Sequence, residues 1–131
     1  SFKIAELIRA ISYDVDNDVI VTAKIVNSKT SKAGSLTTTA TTEVALDTFA
    51  HASFRAARYV IAMKEGSDYH STEVVLVHDG SAVTLTAYGT LKSSTLATFD
   101  ADISGANVEL KVTPSSASST VIKFDRTLIE A

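Results

Sequence analysis

Thr72-Glu73-Val74-Val75-Leu76-Val77-His78-Asp79-Gly80-Ser81-Ala82-Val83-Thr84-Leu85-Thr86-Ala87-Tyr88 reads as two extended segments folded back on one turn. Asp79-Gly80 is a two-residue pair of the type that tolerates positive φ at both central positions. A turn there sets the register. Leu76 falls opposite Val83 and Val74 opposite Leu85 on one side of the ladder. Val77 falls opposite Ala82, Val75 opposite Thr84 and Glu73 opposite Thr86 on the other. The first side is wholly apolar and the second half apolar. Such a hairpin is either central in a sandwich or partly covered by something outside the chain.

The same alternation continues on both sides. Ala57, Tyr59, Ile61 and Met63 share one face, and Glu65-Gly66-Ser67-Asp68 supplies a turn into Tyr69–His78, a second hairpin. Further on, Phe99, Ala101 and Ile103 point inward with Asp100 and Asp102 outward. The turn Ser104-Gly105-Ala106-Asn107 follows, and Val108, Leu110 and Val112 repeat the pattern. Pro114, the single proline, ends that strand because it has no amide to donate. Val121–Ile129 closes the domain with Ile122, Phe124 and Leu128 inward, and Arg126 interrupts that inner face.

Upstream the pattern is less regular. Phe2–Tyr13 fits a short helix or a bulged strand, Asp14–Asp18 is a turn cluster, and Val19–Val26 reads as a strand. Asn27–Thr42, rich in Ser, Thr and Lys around Gly34, reads as a long loop or arm. Within Glu43–Arg58, Leu46, Phe49, Ala50 and Ala57 could form one helical stripe with Asp47 as its cap, yet alternation begins near Ala57. The expected architecture is all-β: an antiparallel β-sandwich or jelly-roll-like module over 43–131, preceded by a strand or arm segment over 1–42 that could dock elsewhere. Each large side chain buried in that core stabilises it by about 1.5–3 kcal/mol, nearly all offset by chain entropy.

Composition narrows the chemistry. The chain of 131 residues suits one domain and has no cysteine, so no disulfide framework or thiolate site is expected. A net charge of -3 without a basic stripe argues against nucleic acid. No apolar run approaches bilayer length, and the start lacks a secretory layout, so no membrane partner is expected. Asp14, Asp16 and Asp18 have the alternate spacing with which a loop offers oxygens to calcium. A calcium loop starting at Asp14 would want glycine sixth and glutamate twelfth, where Val19 and Ile25 stand. His51, His70 and His78 are too scattered for a zinc site, and His78 is expected exposed at a hairpin end. No Gly-x-Ser-x-Gly elbow occurs, and Ser81 beside His78 and Asp79 sits on a tight turn where a triad cannot align. Tyr59, Tyr69, Tyr88 and Phe54 could stack on sugar rings, although periodicity puts Tyr59 in the core. No cofactor and no catalytic residue is expected.

Several segments carry a likeness beyond pattern. They are Leu46-Asp47-Thr48-Phe49, Phe54-Arg55-Ala56-Ala57-Arg58-Tyr59, Asp68-Tyr69-His70-Ser71-Thr72-Glu73-Val74 and Val77-His78-Asp79-Gly80. Leu96-Ala97-Thr98-Phe99-Asp100-Ala101-Asp102-Ile103-Ser104-Gly105, Val112-Thr113-Pro114 and Phe124-Asp125-Arg126-Thr127 extend it. From about Val44 onward the chain resembles a β-module of virion structural proteins from tailed phages, especially contractile-tailed cyanophages and other marine phages. The resemblance implies a non-enzymatic part of the virion: fibre, neck, baseplate or other appendage, or capsid decoration. It brings no catalytic or metal-binding residues, and it favours strand for Arg58–Lys64. The expected mode of action is self-assembly, with a trimer as the first guess, and docking on other virion proteins. The contact would use the half-apolar face of Val75, Val77, Ala82 and Thr84, with Arg126 and Asp125 as interface ions. The alternative is a module that binds a host receptor or surface glycan, using loop aromatics and a cation at Asp14, Asp16 and Asp18.

Overall fold

The computed structural model describes residues 30–131. The readings made for Phe2–Tyr13, the Asp14–Asp18 cluster and Val19–Val26 lie outside the described residues.

Eight strands follow one another: β1 Ser31–Thr38, β2 Val44–Ala50, β3 Phe54–Glu65, β4 Asp68–His78, β5 Val83–Lys92, β6 Ala97–Ser104, β7 Asn107–Pro114 and β8 Thr120–Glu130. They form a five-stranded sheet in the order β1-β8-β3-β4-β5 and a three-stranded sheet in the order β2-β7-β6. The pairs β3–β4, β3–β8, β4–β5, β6–β7 and β2–β7 are all antiparallel. The fold is the expected all-β antiparallel sandwich.

Alternation is what builds it. On β3 the buried residues are Ala57, Tyr59, Ile61 and Met63, and on β7 Val108, Leu110 and Val112 are fully buried. Together with Val74, Leu76, Ile122, Phe124 and Leu128 they form one core between the layers. Side chains two apart on a strand point the same way, so one buried face per strand suffices. Two hairpins close as expected on Gly66 and Gly105, with Glu65 opposite Asp68 and Ser104 opposite Asn107. Both glycines take positive φ, 61° and 60°, which costs them no Cβ clash.

Three expectations need correction. The described part of Asn27–Thr42 is largely strand β1, which lies beside β8 in the larger sheet. It has few apolar residues because only Gly34, Leu36 and Thr38 among its strand positions are partly buried. Gly34 lies so close to Phe124 that a Cβ would overlap the ring. Second, Glu43–Arg58 holds no helix, and Asp47 caps nothing. Bulges at Leu46 in β2 and near Arg55 in β3 each insert one extra residue. They put Leu46 and Phe49, and then Phe54 and Ala57, three apart on the core side, which imitates a helical stripe. Third, the Asp79 turn is longer than two residues. Leu76 pairs with Leu85, Val77 with Thr84 and His78 with Val83, so the register is displaced by two from the one expected. Only Gly80 has positive φ, at 96°. Asp79 makes the four-residue loop: its Oδ1 accepts from the amides of Ser81 and Ala82 at 2.9 and 2.8 Å and from the Ser81 hydroxyl at 3.0 Å.

Candidate functional site

The outer faces of the two sheets differ. On the three-stranded sheet the outward positions of β6 and β7 include Asp100, Asp102, Glu109 and Lys111, and Lys111 bonds Asp102 at 2.6 Å. That face is charged and wet. On the five-stranded sheet the outward positions form cross-strand rows. Thr84, Val77, Ala56 and Ile129 make one; Thr86, Val75, Arg58 and Thr127 the next; Tyr88, Glu73, Val60 and Asp125 the third. Val60, Val77 and Ile129 remain 48%, 47% and 63% exposed; Val77 and Ile129 flank Ala56 in one row, and the Arg58 row separates Val60 from them.

A polar cluster sits in the same face. Arg58 Nε donates to Glu73 Oε1 at 2.9 Å, and the Tyr88 hydroxyl donates to the same oxygen at 3.1 Å. The hydrogen bond from Arg58, then that from Tyr88, holds the Glu73 carboxyl below the usual carboxylate range. Two hollows meet at Ala62 and Lys123. One, of about 330 Å³, runs from Val60 to Ala33 and Gly34; the other, about 380 Å³, reaches Met63, Lys64 and Val121. Ala62, paired with Ser71 and Lys123, lines both. Beside it, Tyr69 and Leu91 are 58% and 71% exposed.

The residues named from sequence scatter over this geometry. Val75, half-buried, and Val77 lie on the outer face, and Thr84 stands opposite Val77. Ala82 lies in the Asp79 loop, where its carbonyl accepts from the Asp79 amide, and is not opposite Val77. Asp125 is exposed on the outer face opposite Val60. Arg126 is placed elsewhere. It is 8% exposed between the layers, where its Nη1 donates to Asp47 Oδ2 at 2.9 Å, and Asp47 itself is 5% exposed. The Tyr59 hydroxyl donates to the same oxygen at 2.8 Å. Burial, then the Asp47 carboxylate, pushes the Tyr59 hydroxyl up. Two sheets are thus tied through one buried carboxylate. Asp14, Asp16 and Asp18 lie outside the described residues. Among the described residues no group of three His, Asp or Glu side chains is arranged to hold a metal.

His78 corrects a further expectation, since it is buried. Its Nδ1 accepts from the Gly80 amide at 3.0 Å and its Nε2 donates to the Phe54 carbonyl at 2.6 Å, tying the hairpin end to the start of β3. Of the aromatic platform, Tyr59 is buried, while Tyr69 and Tyr88 stay on the outer face. Sequence reading missed Ala56, Val60 and Ile129. The signal was present, because they alternate with Ala57, Tyr59, Ile61 and Leu128 and so must face the other way.

The fold resembles that of a phage tailspike. Against the tailspike protein of Acinetobacter phage vB_ApiP_P1, identity is 15% over 76% of this chain and 22% of that one, with a TM-score of 0.53. The tailspike of Acinetobacter baumannii phage AM24 aligns at 11% identity over 81% and 27% of the two chains, with a TM-score of 0.42. A tailspike of A. baumannii bacteriophage Fri1, a capsular polysaccharide depolymerase, aligns at 12% over 78% and 20%, with a TM-score of 0.33. This chain therefore spans only a small part of the tailspike lengths. No family model matches, and no curated protein matches by sequence.

Proposed function

We propose that this chain is a non-enzymatic structural component of a phage virion. It would be an appendage, fibre, neck or decoration subunit that works by associating with copies of itself and with other virion proteins. The observation that carries the reading is the outer face of the five-stranded sheet. Val60, Val75, Val77 and Ile129 lie on adjacent strands there, whereas the outer face of the other sheet carries Asp100, Asp102, Glu109 and Lys111. Apolar area left in this way on a well-packed sandwich is the usual mark of a protein contact. The likeness of fold to a tailspike, and the wording of the segments from Val44 onward, agree with a virion context. Closed symmetry lets one patch be used several times, and three copies around an axis is the first assembly to test.

Light scattering on purified protein is the direct experiment. The wild-type chain is expected to associate as concentration rises, and Val75→Lys and Val77→Lys to lose the outer-face association and give smaller assemblies, with an unchanged β-type circular dichroism spectrum. Normal assembly by both variants refutes this face as the contact. A second reading, a host-glycan module, draws on Tyr69 and Tyr88, exposed on the same face. Binding on a glycan array that disappears in Tyr69→Ala and Tyr88→Ala would favour it.

A further inference from the structure

β5 ends the five-stranded sheet, with no strand beyond it among the described residues. Open sheet edges invite pairing, and proteins blunt them with short strands, charges, prolines or bulges. β2 is seven residues long and bulged, and β6 carries Asp100 and Asp102. β1 contains Gly34 and carries Lys32. β5, by contrast, runs ten residues with a single charge, Lys92, at its last position and no proline. Its bulge, opposite Thr72 at Gly89, lies towards the far end and leaves Val83–Tyr88 regular.

The backbone direction follows from the loop. The Asp79 amide donates to the Ala82 carbonyl at 3.1 Å, so Val77–Thr84, Val75–Thr86 and Glu73–Tyr88 are the hydrogen-bonded pairs of the antiparallel ladder. Val83, Leu85 and Ala87 therefore turn their amides and carbonyls away from β4. Their side chains lie on the inner face, yet Ala87 is exposed and Val83 and Leu85 are only half-buried.

We propose that this edge pairs antiparallel with β5 of a second copy about a two-fold axis, joining two five-stranded sheets into one. The occupant that fits is an extended backbone, because three outward amides and three outward carbonyls at strand spacing match those of another strand one for one. A copy of β5 suits it. With Thr86 opposite its own counterpart, Leu85 meets Ala87, Thr84 meets Tyr88 and no like charges oppose each other. Apolar side chains left half-covered on the inner face are then covered from both subunits. This contact is separate from the outer-face contact and does not depend on it.

The test combines light scattering with amide hydrogen exchange on the full chain at low and high concentration. The expected result, read in Val75→Lys so that the outer face does not contribute, is a doubling of mass accompanied by about a tenfold or greater slowing of exchange at Val83, Leu85 and Ala87. Ala87→Pro removes one outward amide without touching the β4 ladder and, added to Val75→Lys, should abolish the protection and return the protein to monomer. Ala87→Lys keeps that amide and adds a charge at the junction, and it serves if proline disturbs the hairpin. A Val75→Lys chain monomeric at high concentration overturns the proposal, and so does association that leaves the three amides unprotected, or protection that survives both Ala87 variants. Association lost in Val75→Lys with these amides never protected would leave the outer-face contact standing and end this one.

Discussion

Asp47→Ala is the most informative single change. Asp47 is 5% exposed and accepts from both the Tyr59 hydroxyl and Arg126, which is itself 8% exposed. Without the carboxylate, a guanidinium is left buried without its counter-charge, and its Nε already has no partner. Tyr59, fully buried, is left with an unmet hydroxyl. Breaking a buried ion pair from one side costs about 3–5 kcal/mol, which for a unit of this size lowers Tm by more than about 10 °C. Urea denaturation followed by circular dichroism measures it. Asp47→Asn keeps an acceptor for Tyr59 but still leaves Arg126 uncompensated, so it should recover only part of the loss. Combining Asp47→Ala with Arg126→Met removes both charges and should recover most of it, since apolar replacements of buried pairs are often neutral. A single variant that loses less than about 1 kcal/mol, or a double variant no better than the single, would refute the reasoning.

Asp79 bears on pH dependence. Amide hydrogen bonds from Ala82 and Ser81 lower its carboxyl from 3.8 to about 2. The folded value lies below the unfolded one, so its contribution is complete above about pH 4 and is lost as pH falls towards 2. Asp79→Asn should flatten the urea midpoint over that window, and an unchanged acid limb would count against the loop geometry. Gly34→Ala should push β1 away from Phe124 and cost about 1–3 kcal/mol, with faster amide exchange confined at first to Ser31–Thr38. Equal stability in that variant would mean the ring moves aside freely.

The legible parts of this chain are those where one strand's pattern is enough. Tyr59, Ile61 and Met63 were placed in the core by alternation alone, and so were Val108, Leu110 and Val112. The register beyond Asp79 was not legible, because Asp-Gly suits a short turn and the competing carboxylate-capped loop depends on how Asp79 folds back on Ser81 and Ala82. Its two-residue displacement left the face of every residue that stays in the ladder intact, as a period of two requires, and moved Ala82 into the loop. The candidate site was half legible. Val75, Val77 and Thr84 share the outer face, while Ala82 belongs to the loop and Arg126 to the interior.

Local chemistry along the chain determined that this unit is built of strands, which side of most of them is apolar, and where Gly66 and Gly105 turn. Those properties depend on neighbours one to four residues away. Packing decided the rest. Bulges at Leu46 and near Arg55 turn Asp47 and Phe49, and then Ala57, towards the core, and only then does Asp47 meet an arginine 79 positions later. A lone charge in an apolar pattern does not name its partner. That partner is set by which strands become neighbours across the sandwich, a property of the whole sheet arrangement and not of any one segment.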